Sequence, residues 1–121
     1  MTLTTEALAQ FTGTENWYRH SLGRQFLYTD GVKYVAEEAG AYWLIDAIIS
    51  YQYDPRIKNN QGLQEFQLWK LEVKEDRSAI LVCEDGNDVV ILTQEIPFTD
   101  FPLSKISFYL ESKVLLLPSE H

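Results

Sequence analysis

The apolar run AYWLIDAIISYQ, at positions 41–52, constrains the fold of this chain more than any other segment. Its apolar residues recur at helical spacing, and further apolar side chains widen that face well beyond a stripe. Because a helix that is apolar on most sides must be buried, the run predicts a central helix enclosed on nearly all sides and backed by a sheet. The run is too short to cross a bilayer, which needs about 20 apolar residues.

The segments around this run predict where the helix begins and ends. Asp30-Gly31 separates Phe26–Tyr28 from Val32–Val35, and an Asp-Gly pair between β-forming residues predicts a type I′ hairpin. Glu37-Glu38 precedes the run, where the exposed backbone amides of a helix N-terminus favour negative charge. Asp54-Pro55 is expected to end the helix, because proline biases its predecessor away from helical geometry.

The N-terminal segment predicts one helix and leaves the next element open. Thr2–Gln10 places its apolar residues on one helical face. Thr12 and Glu15 have the spacing of a capping box, which favours a short helix through Trp17–His20. The alternative is a strand from Trp17 to Ser21.

The second half of the chain predicts strands. Five short runs rich in β-forming residues are separated by turn residues: Glu65–Val73, Ala79–Glu84, Asp88–Thr93, Lys105–Glu111 and Val114–Leu117. Such short connections suit antiparallel neighbours and leave no room for crossover helices. We therefore predict one α+β domain over residues 1–121, with an antiparallel sheet of about five strands packed on one buried central helix, an N-terminal helix and a short hairpin.

The charge balance bears on the class of partner. The chain has 18 acidic and 10 basic side chains and a net charge of −8. Because phosphate backbones repel such a chain, direct nucleic-acid binding is not expected. An acidic mimic of nucleic acid is a further option, and it would need carboxylates ranged along one face, such as Glu72, Glu84, Asp85, Asp88 and Glu95.

Two features indicate a cytoplasmic location. The N-terminal residues lack the basic region and long apolar core of a signal peptide. Cys83 is the single cysteine, so no internal disulfide can form, which fits a reducing compartment.

The acid–base residues are few. No phosphate loop, dinucleotide fingerprint or Cys/His metal pattern occurs, so we predict no cofactor and no metal site. The candidate catalytic residues are His20, Asp30 and Glu37, since a histidine beside a carboxylate can act as a general base. The alternative is that His20 is a partly buried hydrogen-bonding residue and Asp30 only forms a turn.

Asp46 interrupts the apolar helix, and a buried carboxylate there requires a cation or access to water. We expect it either to pair with Arg19 or Arg24 or to lie on the exposed edge of the helix.

Aromatic residues crowd the first third of the chain. They are Trp17, Tyr18, Tyr28, Tyr34, Tyr42 and Trp43. With basic residues interleaved, aromatics that have polar tips suit a binding surface, although they also pack cores. The predicted binding surface consists of Trp17, Tyr18, Arg19, His20, Tyr28, Asp30 and Lys33.

Several segments of the chain resemble, together and in this order, a bacterial domain-of-unknown-function family whose members are small stand-alone proteins and also occur in cyanobacteria. The segments are FTGTENWYRH, YTDGVKYVAEEAGAYWLIDAIISYQ, FQLWKLEV, TDFPL and LLLPSEH. The resemblance implies no activity, cofactor or catalytic residue. From the residues themselves we predict a non-enzymatic protein-interaction or regulatory module, with a protein partner expected and a homo-oligomer left open. The alternative is a small hydrolase or ligand-binding enzyme centred on His20 and Asp30.

Overall fold

The structure is a computed structural model that describes residues 3–121, and it has a mixed α+β architecture. Within these residues the chain forms five α-helices: α1 (Thr5–Ala9), α2 (Asp30–Ala39), α3 (Tyr42–Ser50), α4 (Pro55–Lys58) and α5 (Gln61–Glu65). It also forms seven strands: β1 (Trp17–Arg19), β2 (Leu27–Thr29), β3 (Phe66–Val73), β4 (Ala79–Glu84), β5 (Val90–Ile96), β6 (Lys105–Glu111) and β7 (Val114–Leu116). Short 3₁₀ turns follow α3 and end the chain.

All seven strands form one sheet in the order β1-β2-β7-β6-β3-β4-β5. Every neighbouring pair is antiparallel except β2 with β7. The five predicted strands of the second half are confirmed within a few residues at their ends, but the sheet has seven strands where we expected about five. The two additional strands, β1 and β2, come from the N-terminal segment, where the residues predicted Trp17–Ser21 only as an alternative strand and Phe26–Tyr28 only as one arm of a hairpin.

Alternate side chains of the central strands point to the core side of the sheet. Trp69 of β3 lies between Cys83 of β4 and Phe108 of β6 in the register, and all three side chains are buried. The thiol of Cys83 is therefore inaccessible, and burial raises its pKa to about 12.

Helix α3 confirms the predicted helix, but the expectation that it is enclosed on nearly all sides is wrong. Its buried residues are Leu44, Ile45, Ile48 and Ile49, which belong to the same apolar cluster as the core side of the sheet. Tyr42, Asp46 and Ser50 face solvent. The helix is thus buried along one side, and its other side is available to form a surface.

The predicted hairpin at Asp30-Gly31 is wrong, because these residues begin helix α2. The Thr29 hydroxyl accepts a hydrogen bond from the Val32 amide and caps the helix, as a threonine at this position commonly does. Glu37-Glu38 consequently lie in the last turn of α2 and not at the start of α3. Gly40, in the left-handed conformation at φ 60°, ends α2 and separates the two helices.

The preferred helix over Trp17–His20 is also wrong, and the alternative strand is confirmed. Tyr18 pairs with Tyr28 in the antiparallel ladder of β1 and β2. The capping-box spacing of Thr12 and Glu15 is not used, because Asp30 holds the backbone of this loop. The N-terminal helix is confirmed as α1, and its predicted start at Thr2 lies outside the described residues.

The C-terminal segment attaches to the start of α2. The Glu120 carboxylate accepts hydrogen bonds from the Thr29 hydroxyl at 2.6 Å, the Gly31 amide at 3.1 Å and the Leu117 amide at 2.9 Å. The close approach needs Gly31, because a Cβ there would lie 2.6 Å from a Glu120 carboxylate oxygen. None of the described helices is long and apolar enough to span a bilayer.

Candidate functional site

The structure divides the predicted site residues between two places. Tyr18, Asp30, Lys33 and Glu37 line one cavity of about 460 Å³ near the start of α2. His20 lines a different cavity of about 490 Å³ beside α3. Within residues 3–121 no hydrogen bond joins His20 to Asp30 or Glu37, so the geometry does not assemble the predicted acid–base group.

Asp30 is occupied by the loop that precedes β1. Its carboxylate accepts hydrogen bonds from the backbone amides of Glu15 at 3.0 Å and Asn16 at 3.2 Å, and from the Tyr18 hydroxyl at 2.9 Å. In return the Asp30 amide donates to the Thr14 hydroxyl at 2.9 Å. This carboxylate organises the loop.

The same hydrogen bonds lower the pKa of Asp30 to about 2, with the Glu15 amide as the largest cause. A carboxyl whose pKa is depressed on folding stabilises the fold above its unfolded pKa, and this contribution disappears as the pH falls through the folded pKa. We expect the wild-type melting temperature to fall between about pH 4 and pH 2, and this fall to be smaller in Asp30→Asn.

Thermal melts followed by circular dichroism at stepped pH would measure this effect. Glu75→Gln provides the control, because Glu75 is an exposed turn residue whose side chain makes no hydrogen bond within the described residues. Asp54, whose pKa is likewise lowered to about 2 by Arg56, contributes to the same pH window and remains in both variants. Parallel melting curves for wild type and Asp30→Asn over the whole window would contradict the role of Asp30.

Tyr18, Tyr28 and Lys33 form a packed cluster on this side. The Tyr18 and Tyr28 rings stack with centroids 5.7 Å apart, and the Lys33 ammonium lies 4.8 Å from the Tyr18 centroid. Lys33 also pairs with Glu37 at 3.5 Å, and this carboxylate is the main cause that raises the pKa of Lys33. The hydrogen bond to Asp30 raises the pKa of Tyr18 and keeps its phenol protonated. Each of these three side chains thus contacts another member of the cluster.

The other two residues of the predicted surface lie on β1. Trp17 is exposed, and the Arg19 guanidinium donates a hydrogen bond to the Arg24 carbonyl. Neither lines the cavity that contains His20. The residues of the predicted binding surface therefore do not all line one cavity.

His20 is buried, and both of its ring nitrogens are engaged. Nδ1 accepts hydrogen bonds from the backbone amides of Leu22 at 3.3 Å and Gly23 at 2.8 Å. This network assigns the proton to Nε2, which donates to an Asp46 carboxylate oxygen at 2.7 Å. The prediction of an arginine partner for Asp46 is wrong in detail, whereas its position on the exposed edge of the helix is confirmed.

His20 therefore fastens the loop of residues 20–26 to helix α3. Gly23 makes the contact close, since a Cβ there would lie 2.4 Å from the Cγ2 atom of Ile49. The loop and the solvent side of α3 together form a groove, which we call the His20 groove. Its lining residues are His20, Leu22, Gly23, Trp43, Asp46, Ala47, Ile49, Ser50 and Tyr53.

The comparisons with known proteins place the chain in a family. The model of a family of unknown function, DUF6876, matches residues 2–121. The chain belongs to that family. Searches of the curated proteins and of the solved structures found no match. The resemblance of the sequence segments to a domain-of-unknown-function family is thus confirmed. Membership of DUF6876 does not assign an activity to the chain.

In this DUF6876 chain, sequence reasoning missed Leu22 and Tyr53 of the His20 groove. Leu22 lies in a short polar segment, and Tyr53 follows the helix in a stretch that reads as a connection. A signal was present for Asp46, which interrupts an apolar run, but the sequence could not show that a histidine 26 positions earlier would reach it.

Two of the carboxylates considered as a nucleic-acid mimic lie beside lysines. Glu84 is buried and pairs with Lys70 at 2.8 Å, and Glu72 lies opposite Lys105 in the register of β3 and β6. Lysines therefore alternate with glutamates on this side of the sheet. No group of three His, Cys, Asp or Glu side chains suited to a metal ion occurs in residues 3–121.

Proposed function

We propose that the chain is a non-enzymatic binding module whose His20 groove docks a segment of a partner protein. The segment would present one lysine or arginine side chain flanked by apolar side chains. The observation that carries this proposal is the combination of exposed apolar side chains and one exposed carboxylate around a single cavity.

The apolar part of the groove supports an apolar occupant. Leu22 is 87% exposed and Tyr53 is 54% exposed, although both belong to the residues that line the cavity. A rim of large apolar side chains left in water marks a surface that gains free energy when another molecule covers it. Trp43 also lines the cavity and supplies an aromatic face.

Asp46 gives the groove its charge preference. Its side chain is 61% exposed, and only one of its two oxygens accepts a hydrogen bond from the described residues. The second oxygen is available to a cation, and aromatic faces such as those of Trp43 and Tyr53 also attract cations. The net charge of −8 favours the approach of a basic segment as well.

The groove lacks the arrangement that acyl transfer requires. Ser50 is the serine that lines it, and its Oγ donates to the Ala47 carbonyl at 2.8 Å. His20 accepts no hydrogen bond from Ser50, because its Nδ1 faces the amides of Leu22 and Gly23. A base–nucleophile pair is the geometric requirement for such chemistry, so the geometry favours binding over hydrolysis.

A peptide titration followed by two-dimensional ¹⁵N–¹H NMR tests the proposal. The probe is an acetylated hexapeptide with a central lysine between leucines, compared with peptides carrying glutamate or norleucine at the centre. We expect the lysine peptide to bind most tightly and to shift the signals of Leu22 and the Trp43 indole. Asp46→Asn should reduce its affinity about tenfold and leave the norleucine peptide unaffected.

Two surface variants locate the binding site. Leu22→Ser should weaken all three peptides, and the lysine peptide by about tenfold, because one exposed leucine no longer contributes apolar contact area. Trp17→Ser is the matched control, since Trp17 is an exposed aromatic residue of β1 outside the groove. Equal affinity for the lysine and glutamate peptides would overturn the proposal, as would weakening by Trp17→Ser but not by Leu22→Ser.

A further inference from the structure

Strand β5 is an edge of the sheet with room for another strand. It pairs with β4 on one side, and no strand in the described part of the chain pairs with its other side. It runs from Val90 to Ile96, whereas β1 at the opposite edge has three residues. A row of backbone donors and acceptors along β5 is therefore able to accept a partner strand.

This edge has one of the features by which sheet edges avoid pairing, a β-bulge at Ile91, where Cys83 pairs with Leu92 and Glu84 pairs with Val90. The strand sequence VILTQEI contains no lysine and no proline, and Glu95 is its single charged residue. Natural edge strands commonly have lysine, proline or an inward-pointing charge at such positions. The ladder is regular from Leu92 to Ile96, and the sequence of β5 is compatible with strand addition over these five residues.

Exposed apolar side chains flank β5 at both ends. Val89 and Val90 are 53% and 54% exposed at its start, and Phe98, just beyond its end, is 69% exposed. A cavity of about 300 Å³ lined partly by Trp43, Ile96 and Phe98 lies at that end. A two-fold symmetric interface needs a surface that is complementary to itself. Antiparallel pairing of two copies of β5 brings the start of one strand next to the end of the other.

We propose that β5 pairs antiparallel with β5 of a second copy of this chain, centred on Thr93. This register places Leu92 of one copy opposite Gln94 of the other, and Glu95 opposite the bulged Ile91. The exposed valines then reach the end of the neighbouring strand where Phe98 lies, and this contact occurs twice. No carboxylate of the strand faces its own copy, and the two seven-stranded sheets become continuous.

This interface shares Trp43 with the His20 groove but includes neither Leu22 nor Asp46, so the proposal does not rest on the proposed function. Each copy has a net charge of −8, so the two copies repel each other at long range. Because salt screens that repulsion, dimerisation should strengthen as the ionic strength rises.

Light scattering coupled to size-exclusion chromatography, run over a range of protein concentrations, tests the pairing. We expect a concentration-dependent mass approaching twice the 14.0 kDa of the single chain. Thr93 is exposed at the proposed two-fold axis, so Thr93→Lys and Thr93→Glu each set two like charges opposite each other. Each variant alone should remain monomeric, and an equimolar mixture of the two should regain the dimer mass.

Thr12→Lys is the matched control. Thr12 is an exposed threonine in the loop before β1, and β1 is the edge of the sheet opposite β5. The Thr12→Lys variant should dimerise like the wild type. Far-ultraviolet circular dichroism confirms that each variant is folded. A wild type that stays monomeric at every concentration overturns the proposal. A Thr93→Lys variant that dimerises like the wild type, or a mixture of the two charged variants that stays monomeric, overturns the pairing centred on Thr93.

Discussion

Gln67→Ala is expected to lower the free energy of unfolding by about 3–5 kcal/mol. The Gln67 amide is buried and makes four hydrogen bonds. It accepts from the Gln52 amide at 2.9 Å and the Trp69 indole at 2.8 Å, and it donates to Gln52 at 2.7 Å and to the Leu63 carbonyl at 2.8 Å. Alanine removes all four hydrogen bonds and leaves their partners in place.

The cost arises because the remaining groups stay buried. Gln52 sits in the 3₁₀ turn after α3 and is also buried, so its amide cannot turn to solvent. An unsatisfied buried donor or acceptor costs about 1–3 kcal/mol, and Gln67→Ala leaves several of them together with a cavity. In the native chain, no buried side-chain nitrogen or oxygen among residues 3–121 lacks a hydrogen bond.

Urea denaturation monitored by tryptophan fluorescence and circular dichroism measures the effect. Gln61→Ala is the matched control, because Gln61 is an exposed glutamine of α5, and it should change the free energy of unfolding by less than about 0.5 kcal/mol. A double-mutant cycle with Gln52→Ala should show strong coupling, since the second substitution removes an already unpaired amide. Additive effects of Gln52→Ala and Gln67→Ala would contradict the hydrogen-bonded pair.

Gly23→Ala is expected to lower the free energy of unfolding by about 1–3 kcal/mol through overpacking. The new Cβ would lie 2.4 Å from the Cγ2 of Ile49, a buried and β-branched side chain in helix α3 that has little rotamer freedom. It would also lie 3.5 Å from Nδ1 of His20. The loop must therefore move away from α3. This movement weakens the hydrogen bond that the Gly23 amide donates to Nδ1 of His20.

Gly62→Ala is the matched control for this substitution. A Cβ at Gly62 would meet only Asn60 at 3.5 Å, and Gly62 lies in helix α5, where alanine is favoured over glycine. We expect the Gly62 variant to be as stable as the wild type or slightly more stable. Ile49→Ala combined with Gly23→Ala should cost less than the sum of the two single changes, because the first removes the overlapping methyl group.

The same denaturation measurements, together with NMR spectra of the His20 ring, test the mechanism. The His20 signals should shift in Gly23→Ala and stay unchanged in Gly62→Ala. If Gly23→Ala had the stability of the wild type and left the His20 signals in place, the close packing of loop and helix would be wrong.

Local patterns in the sequence were enough to predict the α+β class and most of the strands in the second half of the chain. Runs such as Ala79–Glu84 and Lys105–Glu111 have the composition and alternation of strands, and these signals lie within a few neighbouring residues. The helix after Gly40 was predictable for the same reason. Its exposed side was not, because the sequence does not show which side of a helix its neighbours leave uncovered.

The errors lie where distant groups outweigh a local preference. Asp30-Gly31 has strong turn propensity, yet amides 14 and 15 positions earlier bind the Asp30 carboxylate, and Glu120 binds the start of the helix from the other end of the chain. These contacts stabilise a helix that the dipeptide alone does not favour. Likewise, Trp17–Arg19 becomes a strand because Leu27–Thr29 is available to pair with it.

The candidate site shows the same difference between what residue type predicts and what distant contacts decide. The sequence by itself determined which side chains have useful chemistry, including His20, Asp30, Lys33 and Asp46, because residue type fixes charge and hydrogen-bonding capacity. Only the tertiary structure decided that Asp30 holds a loop, that His20 meets Asp46, and that Leu22 and Tyr53 flank a groove. Hydrogen bonds and apolar contacts act over a few ångströms of space, and the residues that make them here are up to about ninety positions apart in the chain.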